Sequence, residues 1–177
     1  MSQLEKKDLG IIIDGERYFS IALSTLRLDT ILDFELYLPA SDTHPPVLYR
    51  SGNLPFTDKE RTRLIEHNNE SLLIHASDGN AYKQYVVSNL SNILNDTNIP
   101  IEVRSHTLYE SAHGLIQEIL ENPSAGDLLK RTGNMAENTV DFLFNQSNAF
   151  LSLMQVTSAD YYTYTHSVNV FVYSASL

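Results

Sequence analysis

The chain closes with a stretch that decides how its C-terminal half is interpreted: residues 160–170, DYYTYTHSVNV. Its spacing of apolar and aromatic residues predicts the start of a buried helix that carries one inward-facing histidine, His166. No C-cap glycine, basic last turn or proline follows Val170, so nothing marks the end of this helix. We therefore expect a fragment that lacks the residues needed to complete a site around His166.

The bulk composition is that of a globular protein. The chain has 177 residues, of which 42% are hydrophobic and 19% are charged. This length suffices for one domain, or for one small domain with a helical extension. The net charge of −10 disfavours nonspecific binding to nucleic acid, so no nucleic-acid partner is predicted.

Several kinds of site and location are excluded by what the sequence lacks. The absence of cysteine excludes disulfides, thiolate nucleophiles and cysteine metal sites. Residues 1–8 are polar and lack the apolar segment of a signal peptide. The apolar run Ile11–Ile13 is far too short to span a bilayer. We therefore predict no membrane association and a cytoplasmic location.

The first half of the chain alternates between short strands and short helices. Thr57 and Glu60 form a capping-box pattern that predicts a helix over 58–68. The strand predictions, made from alternating or continuous apolar residues bounded by turn signals, are 18–22, 31–38, 47–50 and 71–76. Together these elements predict an α+β fold, with a small N-terminal antiparallel sheet domain over residues 1–98.

From Asn80 onward the apolar spacing becomes helical. Pro100 is well placed at the start of a helix over 101–121, which Asn122 and Pro123 end. Ser124 and Asp127 predict the start of a long helix that continues to Val156. Residues 99–157 are thus predicted to form long connecting helices that follow the sheet domain.

The predicted long helix is apolar on more than one side. One stripe consists of Val140, Leu143, Phe144, Leu151 and Met154, whereas Phe142, Ala149 and Leu153 lie off it. Such a helix must be buried on several sides, and only the terminal helix or another copy of the chain can cover it. The pattern predicts either a truncated bundle or a homodimer through the C-terminal helices.

Residues 161–170 resemble the opening of an HD-GYP domain, the family of bacterial cyclic di-GMP phosphodiesterases. The upstream region is similar to the regulatory segment that precedes this domain. The segments that carry this second similarity are 21–27, 34–38, 47–49, 81–85 and 108–112. The resemblance therefore covers nearly the whole chain, and it implies that residues 158–177 begin an all-α HD-type bundle.

In that family the histidine that matches His166 is the first protein ligand of an iron or manganese centre. The resemblance implies that the centre generates a hydroxide that attacks phosphorus. The defining His-Asp pair and Gly-Tyr-Pro loop do not occur in this chain. Some members place a glutamate one turn before the histidine, where this chain has Tyr162, so a full-length parent is expected to hold two divalent metals. The 177-residue chain itself is expected to be inactive, with no catalytic residue and no metal of its own.

A second group of possible metal ligands lies further upstream. His106, Glu110 and His113 are spaced by four and three residues, which places them on one helix face. Such a face could bind zinc or another divalent ion, or it could be an ordinary solvated face. Two further functional alternatives stay open: a small stand-alone metal-dependent hydrolase that uses His106, His113 and His166, and a non-catalytic dimeric helical signalling module.

Overall fold

The computed structural model describes residues 10–39, 45–123, 126–158 and 163–175. The chain forms two compact units, Met1–Val86 and Val87–Leu177. An antiparallel sheet occupies the first unit and helices form the second, so the predicted α+β class is confirmed. The limits predicted for the regulatory domain, the connecting helices and the catalytic start, 1–98, 99–157 and 158–177, stay predictions.

The first unit is built on a five-stranded sheet in the order β1-β2-β7-β4-β5, in which all paired strands are antiparallel. Strands β3 and β6 form a separate two-stranded sheet. The strands are β1 Ile11–Ile13, β2 Glu16–Ala22, β3 Thr30–Ile31, β4 Leu36–Leu38, β5 Val47–Arg50, β6 Pro55–Phe56 and β7 Ser71–His75. The central strand β7 buries three successive side chains, Leu72, Leu73 and Ile74.

The hairpin between β1 and β2 follows from two residues. Asp14 and Gly15 have φ angles of 52° and 85° and connect the paired residues Ile13 and Glu16. Positive φ at both central positions matches the twist of a tight hairpin, and an Asp-Gly pair adopts it at low cost.

Helix α1, Asp58–Glu66, confirms the predicted capping box. The Thr57 hydroxyl accepts a bond from the Glu60 amide, and the Glu60 carboxylate accepts one from the Thr57 amide. These two bonds satisfy amide groups that the first turn of a helix leaves without intrahelical partners. Asn68, at φ 57°, stops the helix shortly before the predicted end.

The predicted strand over 31–38 is wrong as a single strand, although its alternating burial is correct. Leu32, Phe34 and Leu36 are buried, but Asp33 takes a left-handed φ of 58° and separates β3 from β4. Gly52 permits this detour, because a Cβ at Gly52 would lie 2.6 Å from the Phe34 amide nitrogen. The detour places the Phe34 ring edge-on to two tyrosine rings, Tyr82 and Tyr85.

The second unit, which begins at Val87 within the helix that follows the sheet, is a helical bundle. The remaining helices are α2 Gly79–Asn95, α3 Ile101–Glu121, α4 Leu128–Asn145, α5 Ala149–Ser158 and α6 Thr163–Ala175. Its core includes Leu90, Leu108, Phe142, Leu153 and Val168. The terminal helix thus covers part of the apolar surface of the preceding helices, as the sequence predicted for one of its two possible partners.

The predicted continuous helix to Val156 is wrong. Helix α4 ends at Asn145, and Gln146 is extended, with φ −115° and ψ 120°. Asn148 follows with a left-handed φ of 66°, and α5 begins at Ala149. No proline or glycine signals this break, and an asparagine supplies the left-handed conformation instead.

The predicted apolar stripe does not form the buried face either. Val140, Phe144 and Leu151 are exposed, whereas Phe142, Ala149 and Leu153 are buried. The core-facing row of α4, which we call the inner seam, consists of Leu128, Thr132, Met135, Thr139 and Phe142. The hydroxyls of its two threonines each donate a hydrogen bond of 2.8 Å to the carbonyl group four residues earlier. These polar residues therefore occupy core-facing positions, which the apolar pattern alone could not reveal.

Candidate functional site

The histidine singled out by the sequence lies on the terminal helix. His166 is exposed, whereas Val168 and Val172 on the same helix are fully buried. The prediction that His166 faces inwards is therefore wrong in this structure. Tyr162, which stands where some members of the HD-GYP family place a glutamate, lies outside the described residues.

Helix α6 instead carries a buried polar atom next to its apolar face. The Asn169 side-chain oxygen is buried and has no hydrogen-bond partner among the described residues. Ser105 is fully buried, and its hydroxyl also has no hydrogen-bond partner among the described residues. Buried polar atoms without partners cost free energy.

The proposed metal face on α3 is only partly assembled. His106 Nε2 lies 4.0 Å from Glu110 Oε1, whereas the His113 ring stacks on Tyr109 with 6.5 Å between ring centroids. Within residues 10–39, 45–123, 126–158 and 163–175, no group of three or more histidine, cysteine or acidic side chains could hold a metal ion. A metal role for His106, Glu110 and His113 stays a prediction.

Sequence reasoning missed Arg104, the most deeply buried cation described. Its side chain is 6% exposed and donates from one terminal nitrogen to the Leu94 carbonyl at 2.9 Å and to Gln146 Oε1 at 2.8 Å. The guanidinium also lies 5.7 Å from the centre of the Phe142 ring. The sequence feature that could have indicated its burial is its spacing of four residues from Leu108, which places both on one face of α3.

Two helix ends lie beside the Arg104 guanidinium, although its buried Nε has no hydrogen-bond partner among the described residues. Leu94 lies in the last turn of α2, and Gln146 caps the C-terminus of α4. Helix C-termini carry partial negative charge, so two of them converge on one guanidinium. The side chain therefore ties the ends of α2 and α4 to α3, which gives it a positioning role within the bundle.

The first unit contains an open cleft of about 650 Å³. Its lining includes the acidic residues Asp33, Glu35 and Asp78 together with Tyr37 and His75. The Glu35 amide donates to Asp78 Oδ2 at 3.2 Å, and His75 is joined to Ser77 and Glu16. Three carboxylates around one cleft disfavour an anion, so this cleft does not suit a phosphodiester.

Tyr37 is the strongly perturbed group of this cleft. Its hydroxyl donates to Glu35 Oε2, and this bond, reinforced by partial burial and the Glu35 charge, raises the pKa of Tyr37 to about 12. Because the folded-state pKa exceeds the ordinary value of 10.0, this contribution to stability is complete below pH 10 and is lost as the pH rises towards 12.

We expect Glu35→Gln to move the Tyr37 titration back towards its ordinary range. The substitution removes the carboxylate charge that opposes the phenolate. The measurement is near-ultraviolet phenolate absorbance against pH, with Tyr37→Phe as the control that identifies the Tyr37 component. Superimposable titrations of the wild type and Glu35→Gln would contradict the assignment.

A second cleft, of about 430 Å³, lies within the helical unit. Leu90, Leu115 and Met135 form its apolar part, and Arg131 and Asn138 are among its polar residues. The Arg131 guanidinium binds both oxygens of the Glu118 carboxylate at 2.7 Å, which lowers the pKa of Glu118. The Arg131 guanidinium in this cleft is therefore already paired with the Glu118 carboxylate.

None of the helices in the described part of the chain has the length and apolar character required to cross a bilayer.

Comparison with known proteins adds one similar solved structure, Bd1817, a HDG"Y"P protein from Bdellovibrio bacteriovorus. The two chains are 25% identical and superpose with a TM-score of 0.40. The match covers 78% of this chain and 45% of that one, so this chain spans less than half the length of that protein. No family model and no curated protein matches the chain.

Proposed function

We propose that this chain is the N-terminal regulatory and interaction part of a bacterial, cytoplasmic, metal-dependent cyclic di-GMP phosphodiesterase of the HD-GYP type. The observation that carries the proposal is the sequence of residues 161–170, with its histidine at position 166. Residues 163–170 lie on one helix, α6, as expected for the opening of an all-α catalytic bundle.

The order of the two units supports the same proposal. An α+β unit comes first, and a helical unit follows and contains the helix that carries His166. A regulatory segment acts on a catalytic bundle if a bound partner distinguishes two arrangements of the connecting helices. Arg104 joins α3 to the ends of α2 and α4 through one side chain, so a change in the arrangement of these helices would alter its contacts.

The residues that the structure describes do not fit a complete metal centre. His166 supplies one exposed imidazole, and the described residues contain no set of three potential ligands. A single imidazole does not hold a divalent ion or activate water. The two iron or manganese ions and the hydrolytic step therefore belong to the proposed parent protein, and we assign no catalytic residue to this chain.

We expect the purified 177-residue chain to leave cyclic di-GMP intact in the presence of manganese or ferrous iron. Chromatographic separation of cyclic from linear dinucleotide measures this directly. Hydrolysis that is lost on His166→Ala would contradict the proposal and favour the stand-alone metal-dependent hydrolase. The His67→Ala variant is the matched control, because His67 is also an exposed histidine and neither metal hypothesis uses it.

A further inference from the structure

Helix α4 has a second seam beside the one that faces the core. Its members are spaced four, three, four and three residues apart, and all of them lack polar side chains: Leu129, Gly133, Ala136, Val140 and Leu143. We call this row the outer seam. Spacings of four and three are those of the contact positions in a coiled coil.

Three members of the outer seam, Leu129, Gly133 and Val140, are exposed, whereas Leu143 at its C-terminal end packs partly against the core of the helical unit. Leu129 is 88% exposed and Val140 is 38% exposed, whereas Ala136 and Leu143 are half-buried. Phe144, which flanks the seam, is 77% exposed. The row from Leu129 to Leu143 extends over roughly 21 Å of this 18-residue helix, and its exposed apolar members form a surface that a partner could cover.

We propose that the outer seam binds the outer seam of a second copy of this chain, with the two α4 helices antiparallel. This inference goes beyond the proposed function, because it rests on α4 alone. In an antiparallel pair of this register, Leu129 of each copy packs against Val140 of the other. Gly133 of each copy then packs against Ala136 of the other, close to the two-fold axis.

The charges beside the seam favour this arrangement. Lys130 and Glu137 are exposed and lie one heptad apart, each directly after a seam position. Antiparallel packing brings equivalent flanking positions of the two helices together, so Lys130 of each copy faces Glu137 of the other. A two-fold axis forms this opposite-charge contact twice, which a partner without the same sequence would not do.

The residues near the axis also suit a close approach. Gly133 and Ala136 are the two smallest residues of the seam, and they form its central layer in this register. The Gly133 backbone is open on its outer side, because a Cβ built there meets no atom within 4 Å. Small residues let two helices approach more closely than the usual separation of about 8–10 Å.

The test is the oligomeric state of the full 177-residue chain by sedimentation velocity, at concentrations up to about 100 μM. We expect a dimer. We expect Leu129→Asp to dissociate it, and the variant should fold because the residue is exposed and an acid is favourable in the first turn of α4. Leu151→Asp is the matched control, since Leu151 is an exposed leucine on α5, and it should leave the dimer intact.

Charge reversal tests the antiparallel register. Lys130→Glu alone should weaken the dimer about tenfold, because two attractive contacts become repulsive. Adding Glu137→Lys in the same chain should restore the affinity to within about threefold of the wild type. A double variant as weak as the single one overturns the register.

Two results overturn the proposed surface itself. A chain that stays monomeric at the highest concentration assigns the outer seam to a different occupant, such as further polypeptide or another protein. A dimer that Leu129→Asp and Leu151→Asp leave equally stable places the interface elsewhere.

Discussion

Replacing Arg104 by alanine should lower the free energy of unfolding of the helical unit by about 3 kcal/mol. The substitution removes the bonds to the Leu94 carbonyl and to Gln146 Oε1, and it removes the contact with the Phe142 ring. It also leaves the Leu94 carbonyl, at the end of α2, without its bond from the guanidinium. Urea denaturation followed by circular dichroism measures the loss.

Arg131→Ala is the matched control for this prediction. Arg131 is also a helix arginine with a bidentate carboxylate partner, but its side chain is 30% exposed. Exposed ion pairs contribute no more than about 1 kcal/mol, so this variant should be nearly as stable as the wild type. Equal losses for the two variants would show that burial of Arg104 at two helix ends has no particular consequence.

The second large effect concerns the proposed parent phosphodiesterase. In that protein His166→Ala should reduce the rate of cyclic di-GMP hydrolysis by about 100-fold or more, because a lost ligand disturbs both metal occupancy and geometry. The measurement is the rate of linear dinucleotide formation at saturating metal. His166 is exposed in the present structure, so the substitution itself should not destabilise the helical unit.

His113→Ala in the same protein is the control for this second prediction. His113 lies on α3 and stacks on Tyr109, and the proposed centre does not use it. We expect hydrolysis close to that of the wild type. An equal loss of activity in both variants would contradict a specific role for His166.

Much of the first unit could be predicted from the sequence, because its signals are local. The Thr57–Glu60 capping box and the strand over 47–50 depend on neighbouring residues alone, and both are confirmed. The break at Asp33 could not be predicted, since it depends on the close approach of Gly52 to the Phe34 backbone from a distant part of the chain.

The helical unit was harder to predict because tertiary packing overrides its apolar pattern. The buried Thr139 and the half-buried Thr132, both with hydrogen-bonded hydroxyls, replace apolar residues on the inner seam. Asn148 separates α4 from α5 without a glycine or proline. His166 was expected to face inwards because it lies in an apolar run, yet Val168 and Val172 occupy the core instead. A pattern of apolar residues shows that a helix is buried, but not which of two adjacent rows faces the core.

The apolar pattern of α4 in the sequence and its two seams in the structure have the same physical origin. The sequence showed apolar residues on more than one side of this helix, and the structure assigns one row to the core of the unit. The remaining row is the outer seam, for which we propose a second copy of the chain. A sequence pattern can thus indicate that two contacts exist while leaving open which partner makes each of them.

The most direct test of the central claim is the nucleotide sequence that follows the codon for Leu177. In the proposed parent protein, His166 is one ligand of a centre whose other ligands come later in the polypeptide. We therefore expect the reading frame to continue and to encode a His-Asp pair and then a Gly-Tyr-Pro motif. A stop codon immediately after Leu177 would contradict it.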